Sequence, residues 1–90
     1  MIEMRAHFFG NVQGVGFRAE ARHLADHFYL KGRVHNCSDG SVEVIAQGTR
    51  ENLDAFVATL KKKFGSRYVK DVKVEFYSLI MPFDTFIIDR

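Results

Sequence analysis

Hydrophobic and polar residues alternate over residues 4–10, with Met4, Ala6 and Phe8 on one parity and Arg5, His7 and Phe9 on the other. Side chains of a strand project alternately to its two faces, so this pattern predicts a strand with one buried face. The period then changes. From Phe17 to Phe28 the apolar residues Phe17, Ala21, Leu24, Ala25 and Phe28 recur at helical spacing, and Lys31-Gly32 is expected to end that helix. Alternation returns in Arg33–Cys37 and Ser41–Gln47. Val34 and Asn36 share a parity in the first, and Val42, Val44 and Ala46 form an apolar face in the second. Between them Ser38-Asp39-Gly40 predicts a hairpin, because Asp-Gly suits the positive φ angles of a tight turn. Gly48-Thr49 opens a second helix, with Thr49 as its N-cap and Glu51 in its first turn. Leu53, Phe56, Val57, Leu60 and Phe64 form its apolar stripe, and Gly65-Ser66 breaks it. Val72, Val74 and Phe76 alternate with Asp71, Lys73, Glu75 and Tyr77 as a fourth strand. Beyond Pro82, Phe83–Ile88 reads as a fifth, edge strand.

The order is thus β-α-β-β-α-β with an added last strand. Each helix has one apolar stripe and each strand one apolar face, which two helices on one face of a mainly antiparallel, four- or five-stranded sheet satisfy. The expected class is α+β, a ferredoxin-like α/β sandwich with two right-handed crossovers. Ninety residues leave room for one core, so residues 1–90 are expected to form a single domain.

Charge narrows the range of partners. The net charge is +2 with both signs interspersed, which argues against a dedicated nucleic-acid surface and does not point to a membrane. No apolar run approaches the ~18 residues of a membrane span, and Met1–Arg5 lacks the apolar core of a signal peptide. Cys37 is the only cysteine. It can form no internal disulfide and suits a reducing, cytoplasmic setting; its expected role is a small, partly buried filler.

The candidate chemistry sits between the first strand and the first helix. Residues 10–18 read G-N-V-Q-G-V-G-F-R, with three glycines, no acid and a terminal arginine. Glycines in a turn allow successive N–H groups to converge on an anion, and a helix start adds unpaired N–H groups and its positive dipole end. Arg18 would add a planar fork of donors suited to phosphate oxygens. The spacing is neither a Walker A loop nor a dinucleotide fingerprint. Asn36, at the end of a predicted strand, could direct its amide at a water or ligand, although asparagines before hairpins are commonly turn residues. His23 and His27 stand four apart but lack a third ligand, so they are read as exposed helix residues and no metal site is expected. Nothing in the sequence places His7 or His35 at a site.

Residues 12–18, V-Q-G-V-G-F-R, and 34–44, V-H-N-C-S-D-G-S-V-E-V, resemble the two signatures of the acylphosphatases. The resemblance runs over residues 4–88 and matches the length and element order. It implies a metal- and cofactor-independent enzyme that hydrolyses the carboxyl-phosphate bond of acyl phosphates. By position it implies Arg18 and Asn36 as catalytic residues and the main chain of residues 12–18 as the phosphate cradle, with Gly14, Val15, Gly16, Phe17 and Arg18 supplying the main-chain N–H groups. Its partners would be a small acyl phosphate and inorganic phosphate, the latter as product and inhibitor, with no nucleic acid or membrane, acting as a monomer. The chain departs from the family pattern at Tyr29, where a glycine is common, at Arg33, where an aromatic residue is frequent, at Cys37, where many members have threonine, and at Gly65–Tyr68. The alternative is a binding module: RNA-recognition domains share the element order, and Gly14-Val15-Gly16-Phe17 echoes their glycine-aromatic signature, but in the first turn rather than on a central strand. A scaffold descended from the enzymes is a third reading, which an intact Arg18 and Asn36 disfavour.

Overall fold

Seven elements follow one another in the computed structural model, which describes residues 1–89; Arg90, the last residue of the predicted domain, lies outside them. They are β1 (Ile2–Gly10), α1 (Phe17–His27), β2 (Lys31–Asn36), β3 (Val42–Gly48), α2 (Arg50–Tyr68), β4 (Val69–Ser78) and β5 (Phe86–Ile88). The strands form one five-stranded sheet in the order β4-β1-β3-β2-β5. Every pairing is antiparallel except β2 with β5.

The core lies between sheet and helices. Met4, Ala6 and Phe8 of β1 and Val42, Val44 and Ala46 of β3 are fully buried, opposite Phe17, Ala21 and Ala25 of α1 and Leu53, Phe56 and Leu60 of α2. These are the faces expected from the periodicity. Thr49 caps α2, its Oγ1 accepting the Asn52 N–H at 3.1 Å. The predicted break at Gly65 is a kink, φ 71° and ψ 176°, after which helical geometry resumes up to Tyr68.

Several boundaries differ from expectation, and three of them have a visible physical cause. First, α1 stops at His27, and Lys31-Gly32 already belongs to β2. The stop is made by Tyr29, which adopts a left-handed φ of 58°. Its N–H donates to the Asp26 carbonyl at 3.3 Å and that of Leu30 to the Ala25 carbonyl at 2.8 Å, the paired bonds of a Schellman motif. Gly32 is needed for a different reason: a Cβ there would lie 1.8 Å from the Ile45 carbonyl oxygen on the neighbouring strand. Second, Cys37 lies just beyond β2, although its N–H still donates to the Ser41 carbonyl at 2.8 Å. Third, only Phe86–Ile88 of the predicted 83–88 strand joins the sheet. The Phe83 N–H is taken instead by the Gln47 side chain, Oε1 accepting at 2.8 Å. On the edge strand β4, Val74 faces the helix layer yet stays 36% exposed.

Candidate active site

The turn between β1 and α1 is built by backbone conformation. Gly14 and Gly16 take φ values of 78° and 81°, and a Cβ on either would meet open space. These glycines are thus demanded by the left-handed backbone, which side chains resist, and not by crowding. Gly16 is the N-cap residue of α1 and offers no side-chain cap. The first bond to close the helix is Glu20 N–H to the Gly16 carbonyl, 3.1 Å, so the N–H groups of Phe17, Arg18 and Ala19 have no partner within the helix.

A cleft of about 210 Å³ opens over this helix start. Its lining includes Gly14, Gly16, Phe17, Arg18 and Ala19 from the turn and helix, Asn36 from the end of β2 and Ile88 from β5. Arg18 and Asn36, the two residues predicted to carry chemistry, therefore share one cavity. Of the predicted cradle, the Val15 side chain is not part of the lining and is 37% exposed. Among the described residues no carboxylate pairs with the Arg18 guanidinium. The acid in the first turn of α1, Glu20, is engaged by Lys63 of α2 at 3.1 Å.

Asn36 reaches the cleft because it lies on the helix side of the sheet, with the parity of buried Val34, at the strand's open end. The turn that follows is held by Asp39. Its Oδ1 accepts the Ser41 N–H at 2.9 Å and also the Ser41 hydroxyl. The Ser41 side chain, then its backbone N–H, hold the Asp39 carboxyl below its ordinary range. Side chains outside the predicted set complete the surroundings. Ile88 forms an apolar wall. Gln13 reaches from the turn to the hairpin, its Nε2 donating to the Cys37 carbonyl at 2.8 Å and the Ser41 carbonyl at 2.9 Å. Gln13 is the only polar side chain between Val12 and Phe17, which was the available signal.

The histidines do not enter this cleft. His7 and His35 lie on the opposite face of the sheet. There His35 Nε2 is 3.2 Å and His7 Nδ1 3.9 Å from Glu43, and His7 Nε2 is 3.4 Å from the Cys37 thiol. His23 and His27 are exposed on α1, His27 packing edge-on to Phe28. Among the described residues no helix is long and apolar enough to cross a membrane.

The sequence model of the family Acylphosphatase matches residues 4–88. The chain belongs to the acylphosphatase family. An acylphosphatase of Paenarthrobacter aurescens is 38% identical over 89 residues, 98% of this chain and 95% of that protein. One of Clostridium acetobutylicum is 48% identical over 61 residues, covering 68% of this chain and 65% of the relative, just under two-thirds of its length. The crystal structure of acylphosphatase from Bacillus subtilis superposes with a TM-score of 0.92 at 35% identity, over the whole of both chains. The α+β, ferredoxin-like fold is therefore that of the acylphosphatases, and family and fold together support a hydrolase acting on acyl phosphates.

Proposed function

We propose that this cleft hydrolyses the carboxyl-phosphate bond of acyl phosphates, with Arg18 and the main chain of residues 14–18 holding the phosphoryl group and Asn36 orienting the attacking water. The observation that carries the reading is the convergence on one cavity of an uncapped helix start, a carboxamide and a guanidinium that no carboxylate of the described residues pairs. Phosphoryl transfer depends chiefly on positioning and charge stabilisation. The N–H groups and the guanidinium fork supply fixed positive dipoles to the non-bridging oxygens, where negative charge concentrates. The amide oxygen of Asn36 accepts a hydrogen bond from the water and aims its lone pair at phosphorus. The new P–O bond forms as the bond to the carboxyl oxygen breaks. The carboxylate leaves with the bonding electrons and the water's proton passes to a phosphate oxygen, since an amide is too weak a base to retain it. A carboxylate is a good leaving group, so the reaction demands neither a strong general acid nor a metal. The same contacts would bind inorganic phosphate, making it a competitive inhibitor. The enzyme would act as a cytoplasmic monomer.

The reading is tested by turnover of benzoyl phosphate with a chelator present. Release of phosphate unaffected by the chelator, competitively inhibited by millimolar phosphate, supports it. Absence of turnover, or dependence on added metal, overturns it. The RNA-binding alternative gains little from the open sheet face. Phe9 and Tyr77 do lie there, but Phe9 stacks on His7 and Tyr77 lies beneath Arg5. Glu3, Glu43 and Glu75 are interspersed there with Arg5, Arg33 and Lys73, so the face lacks the one-signed positive field that a phosphate backbone calls for.

A further inference from the structure

We infer that Gln13 is a positioning residue for the hydrolysis, holding the phosphate cradle at a fixed distance from Asn36. The inference rests on the proposed reaction at this cleft. The topology creates the need. The cradle issues from β1 and Asn36 stands on β2, but β3 lies between them in the sheet. Two strand spacings put the supporting backbones roughly 10 Å apart. No ladder of hydrogen bonds joins them directly, so the distance between phosphoryl group and water would depend on how firmly the turn is tied across the end of β3.

Gln13 makes that tie. Its side-chain nitrogen has two hydrogens and gives one to each of two carbonyls, those of Cys37 and Ser41. Cys37 directly follows Asn36, and Ser41 directly precedes β3. The two carbonyls are themselves part of the hairpin mouth. The Ser41 oxygen also accepts the Cys37 N–H at 2.8 Å, and the Cys37 oxygen the Gly40 N–H at 3.2 Å. One amide thus spans from the cradle to both strands of the hairpin that carries Asn36. Because the Gln13 amide is spent on the hairpin carbonyls and Gln13 is not among the residues that line the cleft, losing its donors should leave the cradle's own grip on phosphate intact while loosening the aim of Asn36. Displacements of about 1 Å in such arrangements can cost on the order of 100-fold in rate.

The test compares Gln13→Met, which keeps the length and removes the donors, and Gln13→Asn, which keeps the amide but is one methylene too short to reach both carbonyls. Each is assayed with benzoyl phosphate for kcat and KM and with inorganic phosphate for the inhibition constant, after circular dichroism establishes folding. The expected result in both is a kcat lower by roughly 10- to 100-fold, with KM and the phosphate inhibition constant within about twofold of wild type. The inference is overturned if kcat stays within twofold in the folded variants, or if phosphate affinity falls in step with kcat, which would make Gln13 a part of the cradle's own structure. The conservative Gln13→Asn carries the test if Gln13→Met does not fold. If the unaltered protein does not turn over benzoyl phosphate, the proposed function fails first, and the positioning role with it; wild-type turnover with unaffected variants sinks the positioning role alone.

Discussion

The side-chain nitrogen of Gln47 lies 2.8 Å from the carbonyl oxygen of Met81, 34 residues later in the chain. The same nitrogen donates to Glu3 at 2.9 Å, and the amide oxygen accepts the Phe83 N–H at 2.8 Å. Gln47 is only 3% exposed. One buried amide therefore fastens the connection from β4 to β5 across the end of the sheet, and β5 brings Ile88 to the cleft. Replacing Gln47 by leucine would remove all three bonds, each contributing about 0.5–1.5 kcal/mol net. The expected result is a loss of about 2–4 kcal/mol in urea unfolding, read from the shift in midpoint at constant slope.

Arg18→Ala and Asn36→Ala are each expected to lower kcat by at least ~10²–10³-fold, the usual effect of deleting one preorganised donor or positioner. Both residues lie at the cleft rather than in the core, so the far-UV dichroism should be unchanged. Arg18→Lys should restore little activity, because an ammonium cannot present the paired donors of a guanidinium. Steady-state kinetics on benzoyl phosphate decide the matter; near wild-type rates in either alanine variant would contradict the assigned roles.

Tyr29 is 80% exposed and held at φ 58°. It does the work of a helix-terminating glycine with a side chain that resists the conformation. Tyr29→Gly removes that strain with little loss of burial and is expected to stabilise the fold by about 0.5–1 kcal/mol, after the greater chain entropy of glycine is counted. For a domain of this size that corresponds to a rise in Tm of roughly 2–8 °C by calorimetry.

Asp39 gives the hairpin a defined response to acid. Hydrogen bonds from the Ser41 side chain and backbone hold its carboxyl below the ordinary carboxylate range. A carboxyl whose folded value is depressed contributes stability that is fully present above its unfolded value, about 3.9, and that disappears as pH falls through the lower folded value. Asp39→Asn removes the titration. The difference in Tm between wild type and Asp39→Asn is expected to be constant near neutrality and to shrink below pH ~4. A difference that persists unchanged to strong acid would exclude this carboxylate as its source.

How much of this was legible beforehand depended on the range of the interaction. The faces of β1, β3, α1 and α2 followed from periodicity, because burial on one side imposes a repeat of two or of helical spacing that any reader can count. Signature resemblance nominates Arg18 and Asn36, and the shared cavity is where the structure brings them together. The partners of isolated polar residues did not follow. Gln13 and Gln47 each stand among apolar or small neighbours, and nothing local says that one ties the hairpin and the other a distant loop. Residue type alone misplaces the end of α1, because Tyr29 occupies a conformation that a tyrosine disfavours and Gly32 is the nearest glycine to suggest a stop. The last strand was drawn too long because its apolar run gives no sign that the Phe83 N–H is taken by a side chain instead of the ladder.

The interposition of β3 between β1 and β2 also governs when the site can exist. Both residues assigned to the chemistry emerge within the first 36 positions of the chain. Yet the strand that spaces them is made later and must insert between two segments already synthesised. A nascent chain ending before Val42 would hold every proposed catalytic group and lack the spacer that sets them apart. Competence for turnover should therefore arise only with long-range sheet closure, so that recovery of activity on refolding would report that closure.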